Sequence, residues 1–136
     1  FPSSRSHGGF PSYSESVPSK IKFNGVEIKE FPINTFKFLG KNLIYSGGGY
    51  FRITPYFFVK YFSKNSKYVM TYFHPRDFDP NQPVINDLSI FRKFKSYVGL
   101  KNCMSKLNKW VNDFEFIDLR SADKRINWNK APIVYL

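Results

Sequence analysis

The sequence predicts an α/β chain with a mainly parallel sheet, and three observations carry that prediction. Short β-branched and aromatic runs alternate with segments of helical spacing, the order expected of βα units. Residues 68–73, Tyr-Val-Met-Thr-Tyr-Phe, form an apolar run that reads as a strand buried on both faces, as parallel strands are. Two or three such units do not close a barrel, so the segment reads as part of a larger α/β fold.

The totals agree with one folded domain. In 136 residues, 42% are hydrophobic, and 16 Phe with 9 Tyr supply a real core. No stretch approaches 18 apolar residues and no charged-then-apolar leader is visible, so neither a membrane span nor a signal peptide is expected and the expected location is cytoplasmic. The lone Cys103 excludes an internal disulfide and a cysteine-rich zinc site, and reads as a packing residue. The chain begins at Phe1 and not at a methionine, which suggests a processed or partial product. The net charge of +11 suits nucleic acid, anionic lipid or acidic polysaccharide without choosing among them, and a solvated lysine-rich surface explains it more simply.

Taken in order, residues 1–20 are a loop or linker, rich in serine, proline and glycine, and 21–136 form the folded segment. Two extended stretches, 21–23 and 26–33, flank Asn24-Gly25, the strongest short hairpin signal. Residues 43–45 make a brief strand before Ser46-Gly47-Gly48-Gly49. Residues 50–63 read as one helix, with Pro55 tolerated near its first turn and apolar side chains nearly all round, so that it needs neighbours on several sides. The strand 68–73 follows and ends at His74-Pro75. A short helix over 89–95 is capped by Ser89, and Gly99 separates it from an amphipathic helix on which Leu100, Cys103, Met104, Leu107, Trp110, Val111 and Phe114 share a face. Residues 114–119 read as a strand, Ser121 opens a short polar helix, and residues 131–136 are an apolar tail.

His74 stands where a central strand meets a proline, the edge at which α/β sheets bind ligands. Arg76, Asp77 and Asp79 are close enough to set its protonation, although Asp79-Pro80 also reads as a simple turn. Gly48, Gly49 and Tyr50 enter a helix with Arg52 one turn on, a pattern that suits a carboxylate or a polar substrate, with a tight turn as the equal alternative. His7 is too far from His74 in sequence to pair with it at a metal by spacing, and no His-x-x-x-His or Gly-x-Ser-x-Gly pattern occurs. No RNA-recognition octapeptide occurs, and the aromatics interleaved with lysines over 56–72 read as core, so nucleic-acid binding is not expected.

Five ordered strings then carry a family resemblance: Phe-Pro-Ser-Ser-Arg-Ser-His-Gly-Gly-Phe-Pro (1–11), Lys-Glu-Phe-Pro-Ile-Asn-Thr-Phe (29–36), Ser-Gly-Gly-Gly-Tyr-Phe-Arg (46–52), Tyr-Phe-His-Pro-Arg-Asp-Phe-Asp-Pro (72–80) and Phe-Lys-Ser-Tyr-Val-Gly-Leu (94–100). Together they resemble the C-terminal half of bacterial polysaccharide deacetylases of the chitooligosaccharide-deacetylase-like group, carbohydrate esterase family 4, with its C-terminal extension. The resemblance implies the C-terminal part of an incomplete (β/α) barrel and a hydrolase acting on the carbon–nitrogen bond of N-acetylated amino sugars in surface or exopolysaccharide biosynthesis. It implies His74 as the general acid that protonates the leaving amine, with Arg52 and Asp77 as orienting partners and Gly48, Gly49 and Tyr50 on the substrate side. It also implies a divalent metal, commonly zinc, held outside this chain, because the early Asp-Asp pair and the His-x-x-x-His segment have no counterpart here. The expected partners are the N-acetylated polysaccharide or oligosaccharide and the missing N-terminal half of the barrel, without which this segment is inactive. Pairing of two copies through residues 50–62 would cover the helix left exposed. A reading from another class is a non-catalytic module that binds carbohydrate or docks a partner through its aromatics and its charge.

Overall fold

A computed structural model describes residues 16–38 and 41–136. The serine-rich start, with His7 and the first of the five strings, lies outside the described residues. In chain order the elements are β1 (Ser19–Phe23), β2 (Val26–Glu30), β3 (Thr35–Phe38), β4 (Lys41–Ile44), α1 (Gly48–Ile53), α2 (Tyr56–Lys64), a 3-10 turn (Pro75–Phe78), α3 (Ile90–Tyr97), α4 (Leu100–Asp113), α5 (Leu119–Arg125) and β5 (Ile133–Tyr135). They fall into two compact units, one holding the described residues up to Thr35 together with Phe116–Leu136, the other Phe36–Glu115.

The first unit is built on the hairpin. Asn24 and Gly25 both take positive φ, 46° and 79°, the pairing that a two-residue turn between twisted strands requires. The register follows, from Phe23 opposite Val26 to Ser19 opposite Glu30. On the other edge of β1, β5 runs parallel, with Lys20 opposite Ile133 and Lys22 opposite Tyr135, giving the order β2-β1-β5. The expected mainly parallel sheet is therefore a mixed three-stranded sheet, because a two-residue turn can only return the chain antiparallel. Glu27 lies between Lys20 and Lys22 at 3.5 and 3.4 Å. Residues 114–119 do not form the expected strand. Phe114 ends α4 in extended conformation, and Asp118 caps α5 by accepting from the Ser121 amide at 2.7 Å, so the helix starts before Ser121.

The second unit carries the larger core, in which Tyr45, Phe51, Val59, Cys103 and Trp110 are buried together. The Phe51 ring stacks on Trp110 at 5.2 Å and meets Phe73 edge-on at 5.0 Å. The indole N–H of Trp110 donates to Ser63 Oγ at 2.9 Å, and Ser63 Oγ donates to the Val59 carbonyl at 2.7 Å, so the buried polar atoms are satisfied one turn apart on α2. Of the predicted apolar face of α4, Leu100, Cys103 and Trp110 are buried and Leu107 and Phe114 pack against the core, while Met104 and Val111 are exposed, so the buried stripe is narrower than the spacing predicts; Gly99 before the helix lies in the left-handed region at φ 72°.

Two expectations in this unit are corrected. The single helix over 50–63 is two helices, because Pro55 has no amide to donate and forces Thr54 into an extended conformation at φ −66°, ψ 125°. Nor is α2 buried all round: Val59 and Ser63 face inward while Phe57 and Tyr61 are exposed. Residues 68–73 are likewise no buried central strand. They form one parallel bridge, between Tyr72 and Gly47, and their side chains are half-buried or exposed. The apolar content of the run reflects packing of an irregular extended segment, with Val69 and Phe73 against the core.

Candidate functional site

Three of the five strings meet at one guanidinium. Arg52 sits in the last turn of α1 and is 8% exposed. Its Nη1 donates to the Ser96 carbonyl at 2.7 Å and its Nη2 to the Lys95 carbonyl at 2.9 Å, both at the C-terminal end of α3. Its Nε faces Asp77 Oδ1 at 3.3 Å, and Asp77, itself 4% exposed, accepts the His74 amide on Oδ2 at 3.0 Å. Asp77 in turn donates its own amide to the His74 carbonyl at 2.9 Å. The turn that carries His74 is thus closed by backbone and carboxylate contacts, and the carboxylate is held by a buried cation.

The glycine string joins from the other side. The Gly48 amide donates to the Tyr72 carbonyl at 3.0 Å, and the Tyr72 amide donates to the Ser46 carbonyl at 3.3 Å. A Cβ at Gly47 would stand 2.1 Å from the Tyr72 carbonyl oxygen, so this approach of two backbones needs a residue without a side chain. A Cβ at Gly49 would meet Arg52 Nη2 at 3.3 Å. Tyr50 is exposed on α1.

All six predicted site residues therefore belong to one neighbourhood, with distinct placements. His74 is exposed, and its ring meets Tyr72 edge-on at 4.9 Å. An imidazole so placed can exchange a proton with a ligand. Arg52 and Asp77 are turned inward on each other and on backbone groups, so their geometry is that of a mount beneath His74 rather than a surface offered to a substrate. Asp79 starts the next turn, its Oδ1 accepting the Asn81 amide at 2.9 Å.

Lys106 belongs to the same construction and carried no sequence signal, being one of several lysines and asparagines on the polar side of α4. Its Nζ donates to the carbonyls of Phe51, Arg52 and Thr54 at 2.8, 2.9 and 2.7 Å, closing the C-terminal end of α1. Burial pushes its pKa below the ordinary lysine value, and burial followed by the nearby Asp77 pushes the Cys103 thiol up, away from the reactive thiolate. Gly99 completes the fit, because a Cβ there would stand 2.6 Å from the Arg52 carbonyl oxygen.

A family model described as Domain of unknown function (DUF3473) matches residues 1–124, which includes every residue of this junction. The chain belongs to this family. DUF3473 domains stand at the C-terminus of polysaccharide deacetylase family proteins. No curated protein matches the chain, and no solved structure does. Among the described residues of this DUF3473 domain, no helix is long and apolar enough to cross a membrane.

Proposed function

We propose that this chain is the C-terminal part of a metal-dependent polysaccharide N-deacetylase that hydrolyses the N-acetyl groups of amino sugars in surface or exopolysaccharide biosynthesis. The observation that carries the reading is the exposed His74 imidazole on a turn locked by Asp77 and Arg52, in a domain whose family accompanies polysaccharide deacetylases. Amide hydrolysis stalls on the departing amine, which leaves poorly unless protonated, and a protonated imidazole can supply that proton. In this reading His74 is the general acid, and Arg52 and Asp77 are positioning residues that hold its backbone. In this reading residues 21–136 are the C-terminal part of an incomplete (β/α) barrel.

The divalent metal, commonly zinc, belongs in this reading to residues outside this chain. Among the described residues no group of three His, Cys, Asp or Glu is placed to hold one, and the chemistry assigned here uses this chain's own side chains.

The test is His74→Ala in the protein that joins this chain to its upstream catalytic half. Deacetylation of an N-acetylated oligosaccharide should fall by on the order of 10² to 10⁴ with little change in substrate binding. Unchanged turnover would remove His74 from the mechanism. The outward Phe57 and Tyr61 rings of α2, with the net charge of +11, favour as second reading a non-catalytic carbohydrate-binding or partner-docking module. Retention of binding to an acidic polysaccharide in the absence of any deacetylase activity of the joined protein would select it.

A further inference from the structure

α3 is a helix of eight residues that buries none of them. Ile90 is 88% exposed, Phe91 65% and Phe94 54%, and the segment before it adds Val84 and Ile85, also exposed. Single apolar residues in water are ordinary on a protein surface, but five on two joined segments are a patch. The two segments are joined by Tyr97, whose hydroxyl accepts the Ile85 amide at 2.9 Å and donates to the Pro83 carbonyl at 3.1 Å. Ser89 caps the helix start, and Arg52 holds the carbonyls of Lys95 and Ser96 at its end. α3 is therefore fixed by polar contacts at its two ends, while its apolar side faces solvent.

The charge on this helix has one sign. Arg92, Lys93 and Lys95 interleave with Ile90, Phe91 and Phe94, and α3 contains no acidic residue. On a helical projection the apolar residues fill one arc, with Lys93 and Lys95 at its borders and Arg92 beyond. Lys95 Nζ lies 4.3 Å from the centre of the Phe91 ring.

We propose that α3, with Val84 and Ile85, seats this protein on an anionic lipid surface, the rings entering the boundary between headgroups and acyl chains while the cations reach headgroup phosphates. Cations bordering an exposed apolar arc are the pattern of helices that lie in a membrane interface. A second copy of the chain would bring the same cations against themselves in a molecule of net charge +11. A soluble polyanion would engage the cations and leave the five apolar side chains in water. The inference stands on its own residues and does not rest on the deacetylase reading.

The test is co-sedimentation of the purified protein with sucrose-loaded vesicles of phosphatidylcholine, alone or mixed in equal parts with phosphatidylglycerol. The protein should pellet with the mixed vesicles and far less with phosphatidylcholine alone. Phe91→Ser with Phe94→Ser leaves the charge unchanged and, because both rings are more than half exposed, leaves the fold intact by circular dichroism; it should weaken binding by on the order of tenfold or more. Replacing Arg92, Lys93 and Lys95 by glutamine should weaken it by roughly fivefold for each cation. Phe94→Trp should shift its emission to the blue with phosphatidylglycerol vesicles and not with dextran sulfate. Binding of the double serine variant equal to that of the parent would overturn the proposal, since net charge alone would then suffice. So would an unshifted Phe94→Trp emission, or a lipid-free dimer in sedimentation velocity that the serine variant abolishes.

Discussion

Lys29 and Asp123 meet in the open at 2.8 Å, with side chains 46% and 40% exposed, whereas Arg52 and Asp77 meet at 3.3 Å with each side chain 6% exposed. The shorter contact belongs to the unit built on the hairpin, the longer one to the unit built around Trp110. Distance ranks the two pairs in the wrong order of consequence. At the surface, water competes for both partners and little net energy is left, while inside, each charge depends on the other because neither can return to solvent without unfolding. The buried pair is also held by main-chain groups, the α3 carbonyls on Arg52 and the His74 amide on Asp77, whereas the surface pair has Trp128 beside it, its ring centre 4.9 Å from Lys29 Nζ.

That contrast is broken most directly at Arg52. Arg52→Met removes the cation and leaves the Asp77 carboxylate buried, and it should destabilise the protein by roughly 3–5 kcal/mol in urea unfolding. Adding Asp77→Asn to it should recover part of the loss, because the stranded charge is then gone. A loss no larger than that from a surface pair would show that water reaches this site.

Gly47→Ala probes the same junction through the backbone alone. The new methyl group would meet the Tyr72 carbonyl, so the strings 46–52 and 72–80 must separate, at about 1–3 kcal/mol or more. The far-ultraviolet spectrum should remain helical while the thermal midpoint falls. An unchanged midpoint would mean that the two segments are not in register as described.

The smallest effect is expected at the surface pair. Lys29→Ala should leave the melting temperature near that of the parent at physiological salt. Its trace should appear in acid. The hydrogen bond from Lys29 holds the Asp123 carboxyl below its ordinary value of 3.8, so the stability it adds is present above that value and is lost as pH falls through the lower folded one. Melting curves taken from pH 5 downward should therefore converge for parent and variant, and curves that diverge in acid would contradict the sign.

The hairpin and the Arg52 junction also differ in how far the sequence shows them. Asn24-Gly25 states its turn locally, because both residues tolerate positive φ, and the hairpin register follows from the turn. The spacing of Leu100, Cys103 and Trp110 is equally local, as are the Ser89 cap and the Gly99 break. The Arg52 junction is of another kind. The strings that meet there stand out in the sequence, but their partners are mostly backbone carbonyls and amides, which every residue carries and no residue type announces. Residues 68–73 and 114–119 depart from the predicted strands for a related reason. Apolar runs signal burial, and burial is met here by irregular segments packed on a core as well as by ladders. Pro55 is a local signal too, but of a boundary: it drives Thr54 before it out of the helical region, so it separates two helices instead of opening the first turn of one.

The Arg52 guanidinium holds α3 by its main chain. Nothing in that grip depends on which side chains the helix carries, provided that it begins with a cap and stays helical. The outer face of α3 is accordingly a cartridge: its side chains can be exchanged for others without touching the Trp110 core or the turn of His74. One arginine therefore separates what the domain must keep in order to fold from what it can change in order to choose where it binds.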